Sequence, residues 1–76
     1  MTLDEGIEQI SGKINEVSAS AEIKVAKMSD EEARLSVYAL AGEMGAIQDA
    51  TLMPTIELLN SDGLDIQVFV YEKEYI

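Results

Sequence analysis

The side chains best suited to chemistry in this sequence are carboxylates, since the chain has fifteen aspartates and glutamates but no histidine and no cysteine. One group lies between residues 60 and 65, where Asn60, Asp62 and Asp65 flank Gly63. Oxygen ligands on a bendable loop are what calcium and magnesium prefer. The same residue types are also typical of an ordinary tight turn. The segment therefore permits a cation site without requiring one.

A second acidic group follows Ser29 and consists of Asp30, Glu31 and Glu32. Acids there are also typical of the first turn of a helix, because they face the positive end of the helix dipole. If either acidic group meets Asp49, or Asp4 and Glu5, in space, it would form a weak divalent-cation site. Its candidate ligands are Asn60, Asp62, Asp65, Asp30 and Glu31. Binding of calcium or magnesium is thus one functional hypothesis, and we expect no other cofactor.

Catalysis is poorly supported by the residues present. The usual general base and the usual thiol nucleophile are missing from the sequence. The sequence also contains no G-x-S-x-G motif, no phosphate-binding P-loop and no G-x-G-x-x-G motif. Paired carboxylates can do acid–base work only where an apolar pocket raises one pKa, and a chain this small can hardly enclose one. We therefore expect a protein that is not an enzyme.

The net charge of −10 narrows the class of partner. Such a chain is repelled by the phosphates of nucleic acids and by anionic membranes, so we expect it to bind neither directly. Basic proteins and divalent cations are the partners that its field attracts. The sequence has no apolar run long enough to span a bilayer, and its N-terminus does not resemble a signal peptide. A cytoplasmic location is the corresponding expectation.

The length of 76 residues and the apolar share of 47% predict one small globular domain covering residues 1–76. Its first element is a predicted helix over about residues 3–18. Thr2 and Glu5 have the spacing of a capping box, which marks a helix start. Apolar residues then recur at helical spacing, at Leu3, Ile7, Ile10, Ile14 and Val17. Residues 21–27 alternate in polarity and predict a half-buried strand.

The next predicted element is a helix that begins after Ser29 and ends near Gly45. Ser29 and Glu32 have capping-box spacing, and Gly45 suits the left-handed position that often follows a last helical turn. An apolar stripe at helical spacing comprises Ala33, Val37, Leu40 and Met44. Residues 46–53 are ambiguous, because they fit a loop, a further helical turn or an early strand.

Residues 54–71 predict a β-hairpin with a three-residue loop at residues 61–63. Pro54 fits a strand start or a sheet edge, and the second strand is expected to continue to about Tyr75. The predicted element order is α-β-α-β-β. The predicted fold class is α+β: a two-layer sandwich with two helices on one face of a three-stranded mixed sheet.

The predicted hairpin register also supplies the leading functional hypothesis. It places three apolar or aromatic residues on the uncovered sheet face, namely Leu59, Phe69 and Tyr71. Glu57 and Asp65 lie beside them as a polar rim. Such a patch suits a protein–protein contact. We therefore expect a small acidic binding module whose partner is a basic or nucleic-acid-binding protein or a second copy of the same chain, with cation binding as the alternative.

Overall fold

The structure is a computed structural model that describes residues 1–73. Helix α1 spans Leu3–Val17, strand β1 Glu22–Lys27, strand β2 Glu32–Ala39, helix α2 Met44–Asp62 and strand β3 Asp65–Glu72. A single 3-10 turn, Ala41–Glu43, precedes α2. The predicted α+β class with two helices and a three-stranded mixed sheet is confirmed. The predicted order is wrong, because the elements run α-β-β-α-β.

The first third of the chain follows its sequence pattern. The capping box is present at the start of α1: the Thr2 backbone N–H donates to Glu5 Oε1 at 2.9 Å, and the Glu5 N–H donates to Thr2 Oγ1 at 3.2 Å. The buried side of α1 carries Ile10 and Ile14, both fully buried. Helix α1 and strand β1 both form where they were predicted. The predicted half-burial of β1 is wrong, because Ile23 is only partly buried and Val25 is 47% exposed.

The predicted helix after Ser29 is wrong, since residues 32–39 form strand β2. Ser29 does not cap a helix; its Oγ accepts the Glu31 N–H at 3.2 Å in the turn between β1 and β2. The predicted helical stripe paired Ala33 with Val37, and a step of four residues fits both a helix and a strand. Leu35, fully buried between them, satisfies only the strand period.

The predicted hairpin over residues 54–71 is wrong as well, because its first half belongs to α2. Pro54 lies inside this helix and leaves the Ala50 carbonyl without its usual N–H donor. Gly63 has the predicted left-handed conformation, with φ 68°, but it ends a helix instead of closing a hairpin loop. The predicted extension of the last strand to Tyr75 lies outside the described residues.

The sheet has the strand order β1-β2-β3, with β1 antiparallel and β3 parallel to β2. Its buried face shares one apolar core with both helices, and that core comprises Leu3, Ile7, Ile10, Ile14, Ala33, Leu35, Val37, Ala39, Ile47, Leu58, Leu64 and Ile66. Gly6 marks a close contact within it. A Cβ atom on Gly6 would lie 3.0 Å from Ile66 Cδ1 and 3.2 Å from Leu64 Cδ1. The missing side chain therefore lets α1 pack closely against the start of β3.

Candidate protein-binding face

The strand residues that alternate with the buried ones form a second surface, which we call the aromatic face. Strand register places Tyr38 beside Tyr71 and Ser36 beside Phe69. Successive side chains of a strand point to opposite sides, so these residues share one side of the sheet. The aromatic face comprises Glu22, Lys24, Ala26, Glu32, Arg34, Ser36, Tyr38, Asp65, Gln67, Phe69 and Tyr71. Phe69 is 40% exposed and Tyr71 is 47% exposed.

The aromatic side chains of this face are held in a connected set of contacts. The rings of Tyr38 and Tyr71 stack with centroids 5.4 Å apart. The Lys24 ammonium lies 5.3 Å from the Tyr38 ring centroid, and the Arg34 guanidinium lies 5.2 Å from that of Phe69. Cations at this distance are attracted by the negative ring face. Each exposed ring therefore has a neighbour that restricts its rotation.

Basic residues are concentrated at this face. Lys24 and Arg34 belong to it, and Lys73 adjoins it where β3 ends, so three of the five basic residues lie together. The Lys73 ammonium donates to the Ser20 carbonyl at 3.1 Å and lies 3.7 Å from a Glu22 oxygen. With the three acids of the face and the adjoining Glu72, this region carries a net charge of only −1, whereas the whole chain carries −10.

The two ends of the aromatic face differ in character. At one end, the Gln67 amide donates to Glu32 Oε2 at 3.3 Å and to Asp65 Oδ2 at 3.4 Å, which brings two carboxylates together. The other end is an open concavity of about 640 Å³. It is lined by Glu22, Lys24, Tyr38, Tyr71, Glu72 and Lys73. A ligand side chain entering this concavity would meet two tyrosine rings and two ammonium groups.

The predicted interface residues are divided between two elements. Phe69, Tyr71 and Asp65 lie on the aromatic face, as predicted. Leu59 and Glu57 belong to α2 and do not lie on the sheet, because the hairpin that was to place them there is not formed. Leu59 is nevertheless 50% exposed.

Sequence reasoning missed three of the residues that make the stacking and cation–ring contacts of this face. Lys24 was placed on the correct strand but was not assigned to a site, while Arg34 and Tyr38 were assigned to a helix. The alternation of residues 32–39 was the signal that would have found them. Arg34, Ser36 and Tyr38 separate buried residues at every second position.

The candidate metal ligands are only partly brought together. Asp30, Glu31 and Asp62 line a concavity of about 430 Å³ near the N-terminus, and Asn60 and Asp65 are not among its lining residues. Within residues 1–73, no three acidic, histidine or cysteine side chains converge so as to hold a metal ion. The N-terminal ammonium lies 3.3 Å from Asp62 Oδ2. The cation hypothesis therefore gains no support from the geometry.

The perturbed carboxyls of the described chain are exposed, and their pKa values shift downward. The Ser61 hydroxyl, which donates to Asp62 Oδ1 at 2.7 Å, and then the N-terminal ammonium hold the pKa of Asp62 below its usual value. The backbone N–H of Thr2, followed by its hydroxyl, lowers the pKa of Glu5. A general acid needs a raised pKa, so neither group is suited to that role.

Comparisons of this chain with protein-family models, with curated proteins and with solved structures found no match. Among residues 1–73, no helix is long and apolar enough to cross a membrane.

Proposed function

We propose that this protein is a non-catalytic binding module and that the aromatic face is where it binds another protein. In this proposal both helices cover the side of the sheet that carries the shared apolar core, while the described residues of the aromatic face are partly or fully exposed. The observation that carries it is the exposure of Phe69 and Tyr71 at the centre and end of that side. Large apolar side chains clustered in this way favour a macromolecular contact.

The chemistry of the face supports a protein partner. Tyrosine, phenylalanine and arginine are enriched in protein interfaces, and tyrosine and arginine are enriched among the residues that contribute most binding energy. Tyr38, Tyr71, Phe69 and Arg34 supply these types within one surface. Because the rings are already stacked or covered by a cation, less side-chain entropy is lost on binding. The face is therefore partly preorganised for a contact.

The charge distribution favours a partner with an apolar centre and a basic border. The centre of the aromatic face carries balanced charges, so it neither attracts nor repels a partner strongly. Carboxylates lie at its two ends, Glu32 and Asp65 at one end and Glu22 and Glu72 at the other. Lysines and arginines at the border of the partner would be steered toward these carboxylates. Nucleic acid is disfavoured by the same field.

Site-specific photocrosslinking tests this proposal. The photoreactive residue p-benzoylphenylalanine is placed at Tyr71 and, as a control, at Asp49, which is exposed on α2. In extracts of the source organism, a protein crosslinked from Tyr71 and not from Asp49 is expected. Absence of any protein crosslinked from Tyr71 would overturn the proposal.

The crosslinked protein is then purified and titrated calorimetrically with the unmodified chain and with two variants. Tyr71→Ser is expected to weaken binding by tenfold or more, as for an interface anchor. Met53→Ser, which removes an exposed apolar side chain from α2, is expected to leave the affinity unchanged. Binding should also weaken as salt is added, because opposite charges attract the partners. Equal affinities for the two variants would contradict the assignment of the face.

A further inference from the structure

The free edge of β3 is a second surface with features of a binding site. The Asp65 N–H donates to the Glu31 carbonyl at 2.8 Å, and the Lys73 N–H donates to the Ala39 carbonyl at 2.7 Å. The parallel ladder repeats every two residues, so odd-numbered residues of β3 bond to β2. Ile66, Val68 and Val70 direct their N–H and C=O groups the other way. Among residues 1–73 no strand pairs with that edge.

The edge of β3 lacks the protection that the other sheet edge has. Natural edge strands are commonly protected from pairing by charged side chains, lysine above all. Strand β1 has this protection, since Glu22, Lys24 and Lys27 are spread along its six residues. Strand β3 has acids only at its two ends, and its central run IQVFVY is uncharged. A pairing strand is therefore accepted more readily at β3.

An exposed apolar stripe on α2 runs beside the same edge. Leu52 is 59% exposed, Ile56 41% and Leu59 50%. Their spacing of four and three residues aligns them along one side of the helix. Leu52 also lines a concavity of about 300 Å³ together with Ile66 and Val68, which places the Leu52 end of the stripe beside β3. One continuous surface thus combines unpaired backbone with uncovered leucine and isoleucine.

We propose that this surface binds a second copy of the chain, with the two β3 strands antiparallel and Phe69 opposite Phe69 of the second copy. This register preserves the two faces of the sheet, because each residue opposes one of the same parity. It places Val68 opposite Val70 in the hydrogen-bonded pairs. It also places Asp65 opposite Lys73 at both ends, which gives the register opposite charges at matching positions. To pair with Asp65 of the second copy, the Lys73 ammonium must leave the Ser20 carbonyl and Glu22, which it contacts within one chain.

The dimer leaves the aromatic face available. The two-fold axis runs perpendicular to the sheet, so three strands from each copy continue as one six-stranded sheet. The two α2 stripes then meet on the opposite side and bury Leu52, Ile56 and Leu59. Electrostatic repulsion opposes this dimer, because each chain carries a net charge of −10. Salt screens that repulsion, so self-association should strengthen as salt is added.

Disulfide crosslinking tests the register directly, since the chain has no cysteine of its own. In the proposed pairing, Phe69 occupies a non-hydrogen-bonded site, where the two Cα atoms approach to about 4.5 Å, within disulfide reach. Phe69→Cys is expected to give a covalent dimer under mild oxidation. Lys24→Cys, on the same face but on β1, is expected to stay monomeric. Equal crosslinking of the two variants, or none from Phe69→Cys, would overturn the register.

Sedimentation velocity tests the surface without a covalent bond. At high micromolar concentration and moderate salt, the unmodified protein is expected at twice its chain mass of 8.3 kDa. Ile56→Glu is expected to weaken dimerisation by tenfold or more. Met53→Glu introduces the same charge on the same helix, outside the stripe, and is expected to dimerise like the unmodified chain. A monomer at every concentration and salt, or equal effects of the two variants, would refute the proposal, and circular dichroism verifies that both are folded.

Discussion

The two sides of the sheet differ in burial, although the same strands form both. Along β2, the side chains of Leu35 and Val37 are fully buried against the helices. Their immediate neighbours Arg34, Ser36 and Tyr38 lie on the aromatic face. Burial of the first set supplies folding energy, because each apolar side chain removed from water contributes about 1.5–3 kcal/mol. The second set contributes little to folding and is free to be selected for binding.

The largest expected effect contrasts two adjacent residues of β2. Leu35→Ala should lower the free energy of unfolding by about 2–5 kcal/mol, since it leaves a cavity in the core. Arg34→Ala should lower it by less than about 1 kcal/mol, because it removes one exposed cation–π contact. Urea unfolding followed by circular dichroism measures both. Similar losses for the two variants would mean that the aromatic face is a second structural surface and not a binding surface.

A smaller effect is expected from two glycines of α1 that differ in their surroundings. Gly12 has no atom within 4 Å of a built Cβ, so Gly12→Ala should stabilise the protein by about 0.5–1 kcal/mol through helix propensity. Gly6→Ala offers the same gain, but its Cβ would lie 3.0 Å from Ile66 Cδ1. We expect that crowding to cancel the gain.

The same urea titration compares the two glycine variants. If Gly6→Ala stabilised the protein as much as Gly12→Ala, then α1 would not be closely packed against β3. The helical side of the sheet would then be less tightly packed around Gly6 than these distances indicate.

The two sides also differ in how much of them the sequence predicted. Helix α1 was predictable because its apolar stripe repeats at steps of three and four, and because Thr2 and Glu5 mark its start. Strand β2 was not, since a step of four from Ala33 to Val37 fits both a helix and a strand. The two buried residues that fit only the strand period, Leu35 and Ala39, were outweighed by the capping-box spacing of Ser29 and Glu32.

Four features of helix α2 made it difficult to predict. Proline, here Pro54, is less favourable than alanine in a helix interior by about 3 kcal/mol. Residues 60–63 also have the composition of a turn. The buried side is interrupted by polar Thr51, whose hydroxyl is satisfied by donating to the Ile47 carbonyl at 2.9 Å. The exposed side carries leucine and isoleucine where a surface helix is usually polar. Burial of Ile47 and Leu58 outweighs these local preferences. Such burial depends on contacts with distant parts of the chain, so it cannot be inferred from a short stretch of sequence.

The errors in predicting the strands and helices also affected the prediction of the candidate site. Phe69 and Tyr71 were placed on the correct face because their strand was predicted, although the hairpin from which their register was derived is not formed; Tyr38 was missed with the strand that carries it. Leu59 was placed on the wrong surface because the hairpin assigned it to the sheet. The sequence also did not show which strands become neighbours. Tyr38 and Tyr71 are 33 positions apart and become neighbours only through the parallel register.

The smallest expected effect concerns charge on the helical side, where acids have structural partners. Glu5 accepts the Thr2 backbone N–H, and this bond, followed by the Thr2 hydroxyl, lowers the pKa of Glu5 in the folded state. A lowered folded pKa means that the ionised form favours folding. The stabilisation is present above the unfolded pKa, about 4.3 for glutamate, and is lost as the pH falls through the folded pKa.

Side-chain NMR titration of Glu5 measures this effect. In the folded chain the Glu5 pKa should lie below its value in the urea-unfolded chain. Thr2→Ala removes only the hydroxyl and keeps the backbone donor, so it should return the pKa part of the way. A Glu5 pKa equal to the unfolded value would show that the capping box does not persist in solution, and that the Glu5 carboxylate has no structural partner there.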